Sequence, residues 1–231
     1  MVNIDQLPVL PGNEIKSYRL VNSKFPPISL FDDVANADEF ESLYALQALT
    51  NPRLKNEVGD LQLIPQSEIP FGICGCSYAT APFTHVNPDG SRFSDGSFGV
   101  LYLADYMETA LAEVKHHQQL YWSNVPELCY ERFVFRGLVC VFDEAGIIDG
   151  LAIRSDDAIY APEDYTAARA LGHVLKKRKD TGIRYHSVRK QGAICWGLMT
   201  PQHVISIQQA AHYEMVWNGS ITGINKLSSI L

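Results

Sequence analysis

No apolar run in the 231 residues approaches the length of a membrane span. Met1 to Gly12 has neither a basic start nor an apolar core, so no secretory leader is expected there. Cysteine is sparse and odd in number: Cys74, Cys76, Cys129, Cys140 and Cys195. Their spacing fits no disulfide framework, and Cys74-Gly75-Cys76 is not a zinc C-x-x-C pair. Reduced thiols in a cytoplasmic protein are the expectation. Basic stripes are missing too. The formal net charge is −7, and the single dense cationic run, Lys176 to Lys179, reads as the solvated end of a helix. Direct binding to nucleic acid is therefore not expected. There is no Walker loop and no G-x-G-x-x-G, so a P-loop or a Rossmann dinucleotide site is excluded. The seven histidines include no H-x-H or H-E-x-x-H spacing, and Ser187 lacks the G-x-S-x-G setting of a hydrolase nucleophile.

What is present centres on Gly90 to His117, GSRFSDGSFGVLYLADYMETALAEVKHH. Gly90 to Ser97 is a polar, glycine-punctuated loop. Phe98 to Ala104 reads as a buried strand. Asp105 to about Tyr121 reads as a helix, with Asp105 and Glu108 at capping-box spacing. Met107, Ala110, Leu111 and Val114 form its apolar stripe. Arg92, Tyr102 and Glu113 could thereby bring a cation, a ring and a carboxylate around one cleft. Such a set can hold a phosphorylated aromatic substrate and stabilise a cationic transition state. The plainer alternative is a surface Arg, a packed Tyr and a solvated Glu. Of His116 and His117, adjacent on the helix and pointing in different directions, one could face the cleft.

The remaining pattern predicts a single α+β domain with a mixed or antiparallel sheet. Ile15 to Val21 reads as a strand carrying Arg19 and ended by Pro26-Pro27. Asp38 to Leu49 and Pro162 to Lys177 read as helices, the second stopped by Gly182. Tyr130 to Phe135 and Leu138 to Phe142 read as a hairpin turning at Arg136-Gly137. Ile183 to His186, Ala193 to Met199, His203 to Ile207 and Tyr213 to Trp217 read as short strands. Tyr185-His186-Ser187-Val188-Arg189 would join two of them, as a ligand-contacting turn or an ordinary polar one.

Three segments carry a family resemblance: APFTHVNPDGSRFSDGSFGVLYLA, the following ETALAEV, and YHSVRKQGAICW. Arg92 lies ten residues before Tyr102, Tyr102 eleven before Glu113, and Ser187 far downstream. The chain resembles the RES-domain proteins, the toxin half of RES–Xre toxin–antitoxin pairs, over about Tyr18 to Gly219. SYRLVNSKFPPISLF, with Arg19, is similar to the family's opening segment. Where the commoner compact form reads G-R-W-N, this chain reads Ser91-Arg92-Phe93-Ser94, and it is longer at the N-terminus.

The resemblance implies one domain over 1–231. About 1–70 would be an N-terminal strand and helical portion, and about 71–222 a core with an NAD cleft. The implied fold is a split sheet similar to diphtheria-toxin-type ADP-ribosyltransferases. The implied activity is NAD consumption: cleavage of the nicotinamide–ribose bond by a glycohydrolase or phosphorylase, or protein ADP-ribosylation. NAD would be the substrate, with no further cofactor and no metal. Glu113 would stabilise the ribosyl cation, and Arg92, with Arg19 as a second candidate, the pyrophosphate. Tyr102 would shape the nicotinamide pocket and Ser187 would bond the nicotinamide side or its ribose. An Xre-type antitoxin is the implied partner, with a second copy of the chain as the other candidate. A non-catalytic nucleotide-binding or regulatory module is the competing class.

Overall fold

In the computed structural model, which describes residues 2–25 and 30–227, strand alternation decides the layering. Pro26-Pro27, expected to end the first strand, and residues 228–231 lie outside the described residues. Successive side chains of a strand point to opposite faces. In β2 (Leu101–Ala104), Leu101 and Leu103 enter one apolar cluster while Tyr102 and Ala104 join the other. The first cluster includes Phe40 of α1 (Ala37–Ala48), Leu54 and Val58 of α2 (Leu54–Val58), and Phe83 of α3 (Cys76–Thr84). The second takes Met107, Ala110 and Trp122 of α4 (Met107–Ser123) and Ala168, Leu171 and Leu175 of α5 (Thr166–Arg178). One sheet thus lies between two helical layers. Among the described residues no helix is long and apolar enough to cross a membrane.

The sheet also contains β1 (Glu14–Asn22), β3 (Glu131–Asp143), β4 (Ile147–Asp149), β5 (Gly182–His186), β6 (Ile194–Leu198), β7 (Val204–Trp217) and β8 (Ile221–Leu227). Their order is β4-β5-β6-β2-β1-β3-β7-β8, antiparallel throughout except for β4 beside β5. This is the expected α+β, mixed single sheet. The N-terminal strand is central to it. β1 pairs with β3 over nine positions but with β2 at Tyr18↔Ala104 alone. The sheet therefore divides between β2 and β1. Past the division, the Arg19 guanidinium donates to the Tyr102 carbonyl at 3.4 Å, partnering a group the short ladder would leave bare.

Several local expectations are corrected. The hairpin at Arg136-Gly137 is instead one thirteen-residue strand, β3, with a register shift against β7 at that point. The glycine serves a close approach: a Cβ at Gly137 would lie 2.8 Å from Met107 Cε and 2.9 Å from the Tyr213 ring. His203 to Ile207 and Tyr213 to Trp217 likewise belong to one strand, β7. Beyond Ser220, where no strand was expected, β8 extends the sheet by pairing with β7. Asp105 does not cap α4. Its carboxylate accepts from the backbone N–H of Tyr106 and of Ile194, tying the end of β2 to β6. α5 ends at Lys179, which adopts the left-handed conformation, and Gly182 opens β5.

α5 also presses on the loop that carries Arg92. A Cβ at Gly172 would overlap the Phe93 carbonyl. Gly172→Ala should therefore cost about 1–3 kcal/mol despite the better helix propensity of alanine. Thermal unfolding should show a melting temperature several degrees lower. An unchanged or raised value would show that the helix and loop separate freely.

Candidate active site

A cavity of about 550 Å³ opens at the division of the sheet. β1 contributes Tyr18, Arg19 and Leu20 to its wall, β2 contributes Tyr102, and α4 lies along one side. The ladder stops here, so backbone does not fill the space and side chains can.

Glu113 is half-buried on α4 and lines the cavity. Ser187, on the turn after β5, donates its hydroxyl proton to Glu113 Oε1 at 2.6 Å. The same Ser187 Oγ accepts from the backbone N–H of Arg189 and of Lys190, at 3.2 and 3.1 Å. A hydroxyl has one proton and two lone pairs, and all three are used. Ser187 is 8% exposed and does not line the cavity itself. Its geometry holds one carboxylate oxygen in place. Glu113 Oε2 has no protein partner among the described residues. Tyr185 and Cys195 complete the wall near the carboxylate, and burial pushes both ionisations well up, so both stay neutral there.

Arg92 is 7% exposed. One terminal nitrogen donates to the carbonyls of Ile159 and Ala161, at 3.0 and 3.1 Å. The guanidinium lies 4.6 Å from the centre of the Tyr165 ring. The remaining N–H groups have no protein partner among the described residues, and Arg92 lines the cavity. Tyr102 shapes the loop as well as the wall. Its phenol oxygen accepts from Phe93 N–H at 2.9 Å and bonds the Ser91 hydroxyl at 2.8 Å. Burial pushes that phenol up to about 12, so it remains protonated. Burial also holds the Arg19 guanidinium below its ordinary value, yet it stays charged at neutral pH.

The structure therefore gathers Arg19, Arg92, Tyr102 and Glu113 on one cavity, with Ser187 directly behind Glu113. His117 lines the cavity too. Sequence reading missed Tyr165 and Arg169. Tyr165 falls within the expected helix Pro162 to Lys177 and lines the cavity. Arg169 donates to the carbonyls of Ser91 and Asp89, latching the Arg92 loop onto α5. Arg169 recurs four residues after Tyr165, and that spacing was the available signal.

Comparison with known proteins gives a RES domain match over residues 69–218. That stretch contains Arg92, Tyr102, Glu113 and Ser187, while Arg19 enters from β1 outside it. The uncharacterized protein y4oC of Sinorhizobium fredii (strain NBRC 101917 / NGR234) is 31% identical over 205 residues, 88% of this chain and 83% of that protein. A chain in the crystal structure of the M. tuberculosis MbcT–MbcA toxin–antitoxin complex superposes with a TM-score of 0.37 and 13% identity. That superposition covers 53% of this chain and 73% of the other.

Proposed function

The chain belongs to the RES-domain family, and on that premise we propose that it cleaves the nicotinamide–ribose bond of NAD in the cavity at the sheet division. The carrying observation is the 2.6 Å bond from Ser187 to Glu113 Oε1, which fixes a carboxylate on the cavity wall and leaves its second oxygen without a protein partner among the described residues. A fixed anion in a partly dehydrated site stabilises a positive charge developing beside it.

Nicotinamide is attached through a cationic ring nitrogen. As the C1′–N bond breaks, its electron pair stays with nicotinamide, which leaves neutral. The ribose becomes oxocarbenium-like, and Glu113 Oε2 faces that charge or a ribose hydroxyl. Capture by water forms the new C1′–O bond and releases one proton. Capture by phosphate or by a protein nucleophile would follow the same first step. Arg92, with N–H groups left over from its two carbonyl bonds, suits the pyrophosphate through its planar fork. Arg19 supplies a second cation on the cavity wall. Tyr102 keeps the Arg92 loop in place and offers its ring to the nicotinamide pocket. Ser187 acts through Glu113 and touches no substrate.

Purified protein mixed with NAD should release free nicotinamide, measured by chromatography. ADP-ribose, its 1-phosphate in phosphate buffer, or label retained on protein would separate hydrolysis, phosphorolysis and ADP-ribosylation. No nicotinamide under any of the three conditions would leave the non-catalytic binding module as the reading. The family resemblance supports a toxin role with an Xre-type protein covering the cleft. Expression should slow bacterial growth and lower cellular NAD, with both restored by such a partner. Normal growth and NAD despite abundant folded protein would refute the toxin role.

A further inference from the structure

α4 carries more of the cavity than Glu113. Residues four apart lie one above another on a helix. Glu113, His117 and Tyr121 follow that spacing, and all three line the same cavity. At a helical rise of 1.5 Å per residue, Tyr121 stands about 12 Å along the axis from Glu113. The ladder therefore runs from a carboxylate, through an imidazole, to an aromatic ring.

Tyr121 is 60% exposed, whereas Trp122 beside it is 2% exposed and stacked on Phe133 at 3.6 Å. The core thus takes the neighbouring indole and leaves the Tyr121 ring on the cavity. The Lys24 ammonium lies 5.9 Å from the Tyr121 ring centre and 5.0 Å from that of Phe25. A positive charge therefore lies over the Tyr121 ring, which is itself exposed at this end of the cavity. That pairing suits a phosphate-linked aromatic base, through stacking and charge together.

We infer that Tyr121 is the stacking platform for the adenine of the dinucleotide, with Glu113 and Tyr121 marking the two ends of one substrate path along α4. The inference rests on the NAD reading and extends it. With the nicotinamide ribose at Glu113, the pyrophosphate passes Arg92 and His117, and the adenosine reaches the ring two turns along. Two phosphates and the adenosine ribose separate the nicotinamide ribose from the adenine, a spacing of the same order as two helical turns. Tyr121 so becomes a specificity-determining residue: it favours a dinucleotide over a mononucleotide that carries the same scissile bond.

Nicotinamide mononucleotide is the discriminating probe, because it keeps the nicotinamide–ribose bond and lacks the adenosine. For the full-length protein, Tyr121→Ala should lower the preference for NAD over the mononucleotide, as a ratio of kcat/KM values, by about tenfold. The change should appear in KM rather than kcat, and Tyr121→Trp should restore it. AMP, titrated calorimetrically, should bind the wild type and lose affinity by a similar factor in Tyr121→Ala. An unchanged ratio, or an equal fall for both substrates, would overturn the assignment. Failure to cleave either substrate would defeat the catalytic reading by itself. The AMP titration would then decide the inference alone: AMP affinity that does not depend on Tyr121 would overturn it, and affinity lost in Tyr121→Ala would uphold it.

Discussion

Glu113→Gln is expected to fold normally and to lose NAD turnover by roughly 10²–10³. The substitution keeps the size of the side chain and its place on α4. The Ser187 hydroxyl can still donate to the remaining amide oxygen, so the turn after β5 keeps its anchor. Only the negative charge is removed, and only the cationic transition state needs it. NAD affinity should therefore change little while kcat falls, which single-turnover and titration experiments can separate. Ser187→Ala provides the companion measurement. It leaves the charge and frees the carboxylate to move, so kcat should fall by about tenfold with NAD affinity retained. A folded Glu113→Gln protein with undiminished turnover would remove Glu113 from the mechanism.

Arg92→Ala is expected to weaken NAD binding by about 10- to 150-fold, the worth of a hydrogen bond to a charged group. It should also lower stability, because Arg92 holds two sets of partners. The carbonyls of Ile159 and Ala161 lose their donor, and the Tyr165 ring loses the cation above it. Each buried acceptor left bare costs about 1–3 kcal/mol, and in a chain of this size each kcal/mol moves Tm by about 2–4 °C. Arg92→Lys should rescue neither property fully. A single ammonium cannot reach two carbonyls and present a planar fork to a pyrophosphate at the same time. Calorimetric titration of NAD into the slow Glu113→Gln background isolates binding from turnover. A lower Tm with unchanged affinity would show Arg92 to be a brace for the loop and nothing more.

The two buried roles of Arg92 show where local sequence stops being informative. The loop, strand and helix from Gly90 to Ser123 were readable because their signals are local: turn residues, an apolar run, then helical periodicity. The order Arg92, Tyr102, Glu113 along loop, strand and helix followed from that, whereas the placing of His117 and Tyr121 on the cavity with Glu113 came from the structure. The missing basic stripe, the absent Rossmann and Walker loops and the shortness of the apolar runs are also properties of the chain alone.

Other features depended on partners distant in sequence. Arg136-Gly137 has the local chemistry of a turn, yet it lies mid-strand because Met107 and Tyr213 crowd the glycine from elsewhere in the fold. The cavity exists because β1 and β2 pair at one position only, a register that neither strand encodes by itself. Ser187 lies 74 residues beyond Glu113, and its role was set by β5 and β6 pairing so that the turn behind them meets α4. Periodicity shows which face of an element is apolar; which elements meet, and which polar group each buried hydroxyl or guanidinium must satisfy, is decided only when the chain closes on itself.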